Sequence, residues 1–181
     1  MNKKNTSFNV AYCGIMCALA VIVMFAALIP GLVYVAPSVA GFMVWTVSSQ
    51  ISPKWGWLCF FASAVLIFIL VPQFEANCYY IALLGYYPLL RDVFMKLKNR
   101  AVRFLVKMIV FNVTVVAAFK VTCAILGTDA MLEGLDWFGE FAVYALWAMA
   151  NIAFLSYDYA LRLFFTAYEK LLKPKLKRRM K

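Results

Sequence analysis

Six long apolar runs, separated by short polar or basic stretches, dominate the pattern of residues along this chain. Most of them approach the ~20 residues that an α-helix needs to cross the hydrocarbon of a bilayer. The runs cover approximately residues 10–29, 32–49, 55–71, 76–92, 104–126 and 141–164. The pattern predicts an all-α integral membrane protein, a bundle of six transmembrane helices that forms a single domain over residues 1–181.

The second and fourth runs differ from a plain apolar span. Pro37 and Gly41 interrupt the second run. Such residues are tolerated where neighbouring helices satisfy the freed backbone groups, so this helix is expected to face the bundle. The apolar part of the fourth run ends at Leu90 and is short for a span. Its helix is therefore expected either to tilt little or to continue through Arg91 to Met95, with the arginine extending toward the membrane surface.

Basic residues lie mainly on one side of the predicted membrane. Residues 91–107 hold six Lys and Arg against a single acid, Asp92. The positive-inside tendency assigns this connection to the cytoplasmic side. When the six runs cross in alternation, 17 of the 18 Lys and Arg fall on that side and Lys120 is the exception. Both termini are therefore predicted to be cytoplasmic, in a multi-pass protein of the plasma membrane.

Composition supports the membrane assignment, and the membrane assignment in turn explains the positive net charge. Hydrophobic residues make up 66% of the chain, and the mean hydropathy is +0.83, far outside the usual range of soluble domains. The net charge of +10 arises from clusters that flank the spans, which argues against a nucleic-acid partner. The basic tail over residues 170–181 is expected to anchor and orient the chain at the lipid bilayer, and a protein contact is the alternative.

The connection before the sixth run is acidic. Its acids are spaced 4, 3 and 4 residues apart, which places them on one face of a helix. They are Asp129, Glu133, Asp136 and Glu140. The spacing predicts a short helix over about residues 129–139 that rests on the outer membrane surface with its acids in water. Gating a pocket or attracting a cationic solute are the alternative roles.

The chain lacks several kinds of catalytic chemistry. It contains no histidine, which excludes histidine general bases and histidine-ligated metals. No P-loop, nucleophile-elbow or His-Glu-x-x-His motif occurs. The number of cysteines, five, is odd and argues against a disulfide framework. We expect no enzymatic activity, no cofactor and no metal, and we interpret Cys13 and Cys17 as packing residues; a bridge between Cys78 and Cys123 remains open.

Lys120, Asn112 and Asn151 are polar residues that lie deep inside predicted spans. Lys120 lies about 9 Å of helix rise below the outer end of the fifth span. It either extends to the surface or faces a cavity, where it would pair with Glu75 or Glu140 or receive an anionic ligand group. Asn112 and Asn151 either join helices together or bind substrate.

Small residues form a narrow stripe on the first helix. Cys13, Gly14, Cys17, Ala18 and Val21 share one face. Small side chains let another helix approach closely. The stripe therefore either packs within the bundle or docks a separate membrane subunit.

The whole chain resembles a substrate-binding (S) component of the energy-coupling factor (ECF) transporters. Its size, six spans, internal termini and small-residue stripe carry the resemblance. That family commonly places Ala-x-x-x-Ala on its first helix to meet a membrane coupling subunit. In this chain the matching segment, AYCGIMCALAVIV, offers Gly14 and Ala18.

The resemblance implies a small binder that captures a vitamin-like micronutrient from the outer side. Its implied partners are a membrane coupling subunit and two ATPase subunits, and its implied docking residues are Gly14, Cys17, Ala18 and Val21. The implied substrate pocket lies near the outer helix ends. The residues that the sequence offers there are Glu75, Asn77, Tyr79, Lys120, Trp137 and Glu140, with Asn151 deeper.

A structural role is the alternative function. Size and span count also resemble those of the rod-shape-determining membrane component of bacterial cell-wall machinery. Such a scaffold requires no catalytic residues. It would leave Lys120 and the outer loops energetically neutral and would use helix faces and cytoplasmic connections to bind proteins.

Overall fold

The computed structural model describes residues 3–95, 97–126, 141–168 and 170, and these residues are all-helical, which confirms the all-α prediction. Their α-helices are α1 (Lys3–Phe25), α2 (Val35–Gln50), α3 (Pro53–Leu70), α4 (Phe74–Tyr79), α5 (Arg91–Met95), α6 (Arg100–Leu126) and α7 (Ala142–Ala167). Within this part of the chain, three stretches are long and apolar enough to cross a membrane: Thr6–Leu28, Pro53–Leu70 and Arg100–Val121. The predicted surface helix over 129–139 and, apart from Lys170, the basic tail lie outside the described residues.

The chain divides into two compact units, Met1–Ala118 and Phe119–Lys181. Helices α1 to α5 belong to the first unit, and α7 belongs to the second. Helix α6 begins in the first unit and ends in the second.

Helix α2 is the central element of the first unit. Helices α1, α2 and α3 pack against one another, and nine of the 16 residues of α2 are buried, among them Pro37 and Gly41. This burial confirms that the interrupted second run faces the bundle. Pro37 lies in the first turn of α2, where the backbone N–H groups have no partner within the helix, so its missing N–H breaks no helical bond.

A tight turn joins α1 to α2. A 3-10 turn over Ala26–Leu28 ends the first helical run, and Gly31 then takes a φ of 88°. Glycine adopts this left-handed conformation without the steric cost that a Cβ would bring. The uncharged Pro30–Gly31 pair therefore reverses the chain in few residues.

The fourth run does not form the continuous helix expected through Met95. After α4, a π-helical stretch covers Tyr80–Leu84, and a 3-10 stretch covers Tyr87–Leu90 before α5 begins. Pro88 supplies a physical reason, because it has no N–H to donate and disfavours α-helical geometry in the residue before it. We call residues 74–95 the broken segment.

The broken segment lies alongside α2. At one end, the rings of Tyr34 and Tyr79 have centroids 4.9 Å apart. Midway along α2, Gly41 lies so close to the segment that an added Cβ would overlap the carbonyl oxygen of Leu84. The segment therefore runs in the same direction as α2 and is covered by it.

Cations lie against aromatic rings at the other end of the broken segment. The Arg91 guanidinium is 5.4 Å from the centre of the buried Trp45 ring, and the Lys107 ammonium is 5.8 Å from that of Phe94. Rings attract cations at such distances. Arg91, expected to extend toward the membrane surface, thus packs on α2.

Helix α6 contrasts with α2 in its exposure. Its N-terminus is capped by Asn99, whose Oδ1 accepts a hydrogen bond from the Ala101 N–H at 2.9 Å. The helix therefore begins earlier than the apolar run at 104. Leu105, Ile109 and Val113 are more than half exposed, as expected for a helix that faces lipid.

Helix α7 carries an ion pair near its C-terminal end. The Arg162 guanidinium donates to the Asp158 carboxylate at 2.7 Å, with the acid four residues before the base. The Asp158 side chain is largely buried, whereas that of Arg162 is exposed. The pair thus neutralises an acid on an otherwise apolar helix.

Candidate functional site

A carboxylate and a phenol lie side by side on α4, close to the C-terminal end of α3. Glu75 lies in the first turn of α4, and Tyr79 lies one helical turn later. The Tyr79 hydroxyl donates a hydrogen bond of 2.8 Å to Glu75 Oε1. This bond orients the carboxylate and leaves its second oxygen available to a ligand.

A second tyrosine adds a ring to this pair. The Tyr34 ring lies against that of Tyr79 at an interplanar angle of 38°. The backbone around Tyr34 is held because Ser38 Oγ donates to its carbonyl oxygen at 2.8 Å, at the start of α2. We call Tyr34, Glu75 and Tyr79 the tyrosine–glutamate cluster.

The tyrosine–glutamate cluster combines groups that favour positive charge. An ionised carboxylate only accepts hydrogen bonds. The faces of aromatic rings are electron-rich and attract cations. The arrangement can therefore accept an ammonium group or another donor that carries positive charge.

Asn77 faces the opposite side of α4 and joins it to α3. Its side chain is buried, and its Nδ2 donates to the Val71 carbonyl at 2.8 Å. Among the described residues, its buried Oδ1 has no hydrogen-bond partner. A buried acceptor without a donor costs about 1–3 kcal/mol, so Asn77 both braces α4 and leaves an acceptor available to a donor.

A buried hydroxyl pair anchors the π-helical stretch that follows α4. Ser63 and Tyr80 are fully buried, and their hydroxyl oxygens are 2.7 Å apart. Ser63 also donates to the Phe60 carbonyl at 3.0 Å, so Tyr80 is the donor to Ser63. The Gly85 N–H closes the π turn on the Tyr80 carbonyl at 2.9 Å. Single π turns within helices frequently occur at functional sites.

The other predicted substrate residues do not belong to the first unit. Lys120 and Asn151 belong to the second unit, on α6 and α7. Lys120 is exposed, and Asn151 Nδ2 donates to the Trp147 carbonyl on its own helix at 2.9 Å. Asn112, on the first-unit part of α6, makes the same kind of bond to Met108 at 2.9 Å. Trp137 and Glu140 lie outside the described residues.

The predicted docking stripe divides between two faces of α1. Cys17 and Val21 are buried in the first unit, as is Cys13. Gly14 and Ala18 are exposed, and a Cβ added to Gly14 would meet no atom within 4 Å. Internal packing therefore uses part of the stripe and leaves a small-residue surface on α1.

The cysteines pack as free thiols. All five are unpaired, and the Cys59 thiol approaches the Cys13 carbonyl at 3.7 Å, which links α3 to α1. Within the part of the chain that the structure describes, no group of three or more Cys, Asp or Glu side chains is arranged to hold a metal ion.

Sequence reasoning did not identify Tyr34 and Ser63 as site residues. Tyr34 could have been found, because the predicted topology places the start of the second run at the same end as Tyr79. Ser63 had no signal, since its bond to Tyr80 depends on the π turn that positions Tyr80.

Comparison with known protein families, with curated proteins and with solved structures found no match to this chain. The class of protein therefore rests on the fold. The described chain is all-helical and contains three helices suited to crossing a membrane, which is the character of a membrane protein.

Proposed function

We propose that this chain is the membrane-embedded substrate-binding subunit of an ECF-type transporter for a vitamin-like micronutrient. It is a multi-pass plasma-membrane protein of six spans with both termini in the cytoplasm. It captures a small solute on the outer side and has no enzymatic activity of its own. Energy comes from its partners, a membrane coupling subunit and two ATPase subunits.

The broken segment carries this proposal. Irregular backbone at membrane depth is tolerated where protein covers it or where it lines a cavity. Transporters commonly build their solute sites from such discontinuous helices. Here the segment packs against α2 and α3, and its first helix carries Glu75, Asn77 and Tyr79, three of the residues expected to bind substrate.

The distribution of charge supports the orientation. The end of α3 and the start of α4 carry no Lys or Arg, whereas the opposite end of the broken segment is followed by the basic residues of 91–107. The positive-inside tendency places that basic end in the cytoplasm. The tyrosine–glutamate cluster is then on the outer side, where a solute arrives.

The test is mass spectrometry of the proteins that co-purify with this chain in mild detergent from its native host. The proposal expects a membrane coupling subunit together with two ATPase subunits. Recovery of cell-wall synthesis or cell-shape proteins without ATPases would contradict it.

The second candidate is a non-catalytic scaffold of cell-wall or cell-shape machinery. The exposed small-residue surface of α1, with Gly14 and Ala18, suits such a scaffold as well as it suits a coupling subunit, because such surfaces let a partner helix approach closely. A scaffold requires no solute. Stabilisation of the purified chain by a micronutrient, lost in Lys120→Ala or in a variant of Glu75, would favour the transporter over the scaffold.

A further inference from the structure

Glu75 is the only acidic residue over a long part of the sequence. Between residues 5 and 90, only Lys54 and Glu75 are charged. Lys54 lies in the first turn of α3, at the opposite end of that helix from the connection to α4. No base in this part of the sequence therefore neutralises Glu75 at its own end.

The immediate surroundings of Glu75 are also electron-rich. Among the described residues, its hydrogen-bond partner is the Tyr79 hydroxyl, a neutral donor that leaves the negative charge in place. The Tyr79 ring is covered on one side by Tyr34, which is itself 59% exposed. A ligand arriving from water therefore meets an exposed carboxylate beside two phenol rings.

We infer that the tyrosine–glutamate cluster binds an organic cation, a small solute that carries an ammonium group. The ammonium group pairs with the Glu75 carboxylate, and the apolar part of the solute contacts the two rings. Charge-assisted hydrogen bonds and cation–π contacts both favour such a ligand, whereas an anion would be repelled by Glu75. This inference rests on the proposed function and names the substrate class for its site.

Probes that share one shape and differ in charge test this inference. Benzylamine is protonated at neutral pH, benzyl alcohol is neutral, and benzoate is an anion. Each is titrated against the purified full chain in mild detergent, and the shift in thermal midpoint gives the dissociation constant. Benzylamine is expected to stabilise the chain most strongly and benzoate least.

Variants then assign the effect to the cluster. Glu75→Gln keeps the shape of the side chain but removes its charge, and it is expected to weaken benzylamine binding about tenfold while leaving benzyl alcohol unchanged. Tyr34→Leu removes one of the two rings and should bind benzylamine more weakly than the wild type. Tyr159→Leu, at an exposed tyrosine of α7, is the matched control and should leave benzylamine binding unchanged.

Two results would overturn the inference. One is stronger stabilisation by benzoate or benzyl alcohol than by benzylamine, and the other is unchanged benzylamine binding in a folded Glu75→Gln variant. Either could occur while the coupling subunit and ATPases still co-purify, and the transporter proposal would then stand with a different substrate class. Loss of those partners from the purification would contradict the proposed function itself, whichever probe binds.

Discussion

Helix α6 and the broken segment are consecutive apolar parts of the chain with opposite architectures. Helix α6 runs for 27 residues without interruption and exposes large apolar side chains such as Ile109 and Val113. The broken segment passes through α, π and 3-10 geometry and buries residues such as Tyr80 and Tyr87.

The difference follows from the backbone. An uninterrupted helix satisfies its own N–H and C=O groups and can face hydrocarbon directly. A helix that changes its hydrogen-bonding pattern frees some of these groups, and protein must then cover them. In these two parts of the chain, the regular backbone of α6 therefore goes with exposed apolar side chains, while the irregular backbone of the broken segment goes with burial and with polar side chains such as Asn77.

The strongest test of this comparison is the close approach of α2 to the broken segment. Gly41→Leu is expected to destabilise the protein by about 3 kcal/mol or to prevent folding, because its Cβ would overlap the backbone carbonyl of Leu84. Gly41→Ala should lower stability measurably, whereas Gly14→Ala, in open space, should not. Thermal unfolding in mild detergent measures the difference. Equal midpoints for the two alanine variants would contradict the burial of the segment by α2.

Sequence alone predicted the regular helices better than the broken one. The apolar runs and their lengths locate α1, α3, α6 and α7, because a continuous helix depends on hydrogen bonds between residues close in sequence. The missed start of α6 reflects a local cap at Asn99 that the apolar run does not reveal.

The broken segment was harder to predict because its geometry depends on contacts that are distant in sequence. Pro88 indicated a break, but the π turn at Tyr80 is held by Ser63, 17 residues earlier. The candidate site was predictable in part for the same reason. Glu75 and Tyr79 are one turn apart on a helix, whereas the contribution of Tyr34 requires the packing of α2 against α4.

The hydroxyl pair of Ser63 and Tyr80 offers a smaller test. Ser63→Ala should cost about 2 kcal/mol, since it leaves the buried Tyr80 hydroxyl without an acceptor. Tyr80→Phe should cost about 1 kcal/mol, because Ser63 still donates to the Phe60 carbonyl. Ser156→Ala, at an exposed position of α7, is the control for serine removal.

Unfolding of these variants and of the double variant gives the coupling between the two side chains. The double variant should lose less than the sum of the single losses, because no hydroxyl remains unpaired. Additive losses would show that the two hydroxyls do not hold the π turn to α3.

Arg91 tests whether the basic end of the broken segment is also packed on α2. Arg91→Gln is expected to lower the free energy of unfolding by about 1 kcal/mol, since the guanidinium lies over the buried Trp45 ring. Arg100→Gln, at an exposed position at the start of α6, should cost close to nothing. Equal losses at the two positions would indicate that Arg91 acts through its charge alone.

The smallest effect on stability is expected on the exposed face of α1. Gly14→Leu adds a side chain in open space and should change the unfolding free energy by less than about 0.5 kcal/mol. Cys17→Leu, at a buried position, should destabilise the same helix. If α1 docks a partner, Gly14→Leu will also remove that partner from the co-purified proteins, because close helix approach requires small residues. An intact chain that still recovers its partner would show that the small-residue surface faces lipid and that docking occurs elsewhere.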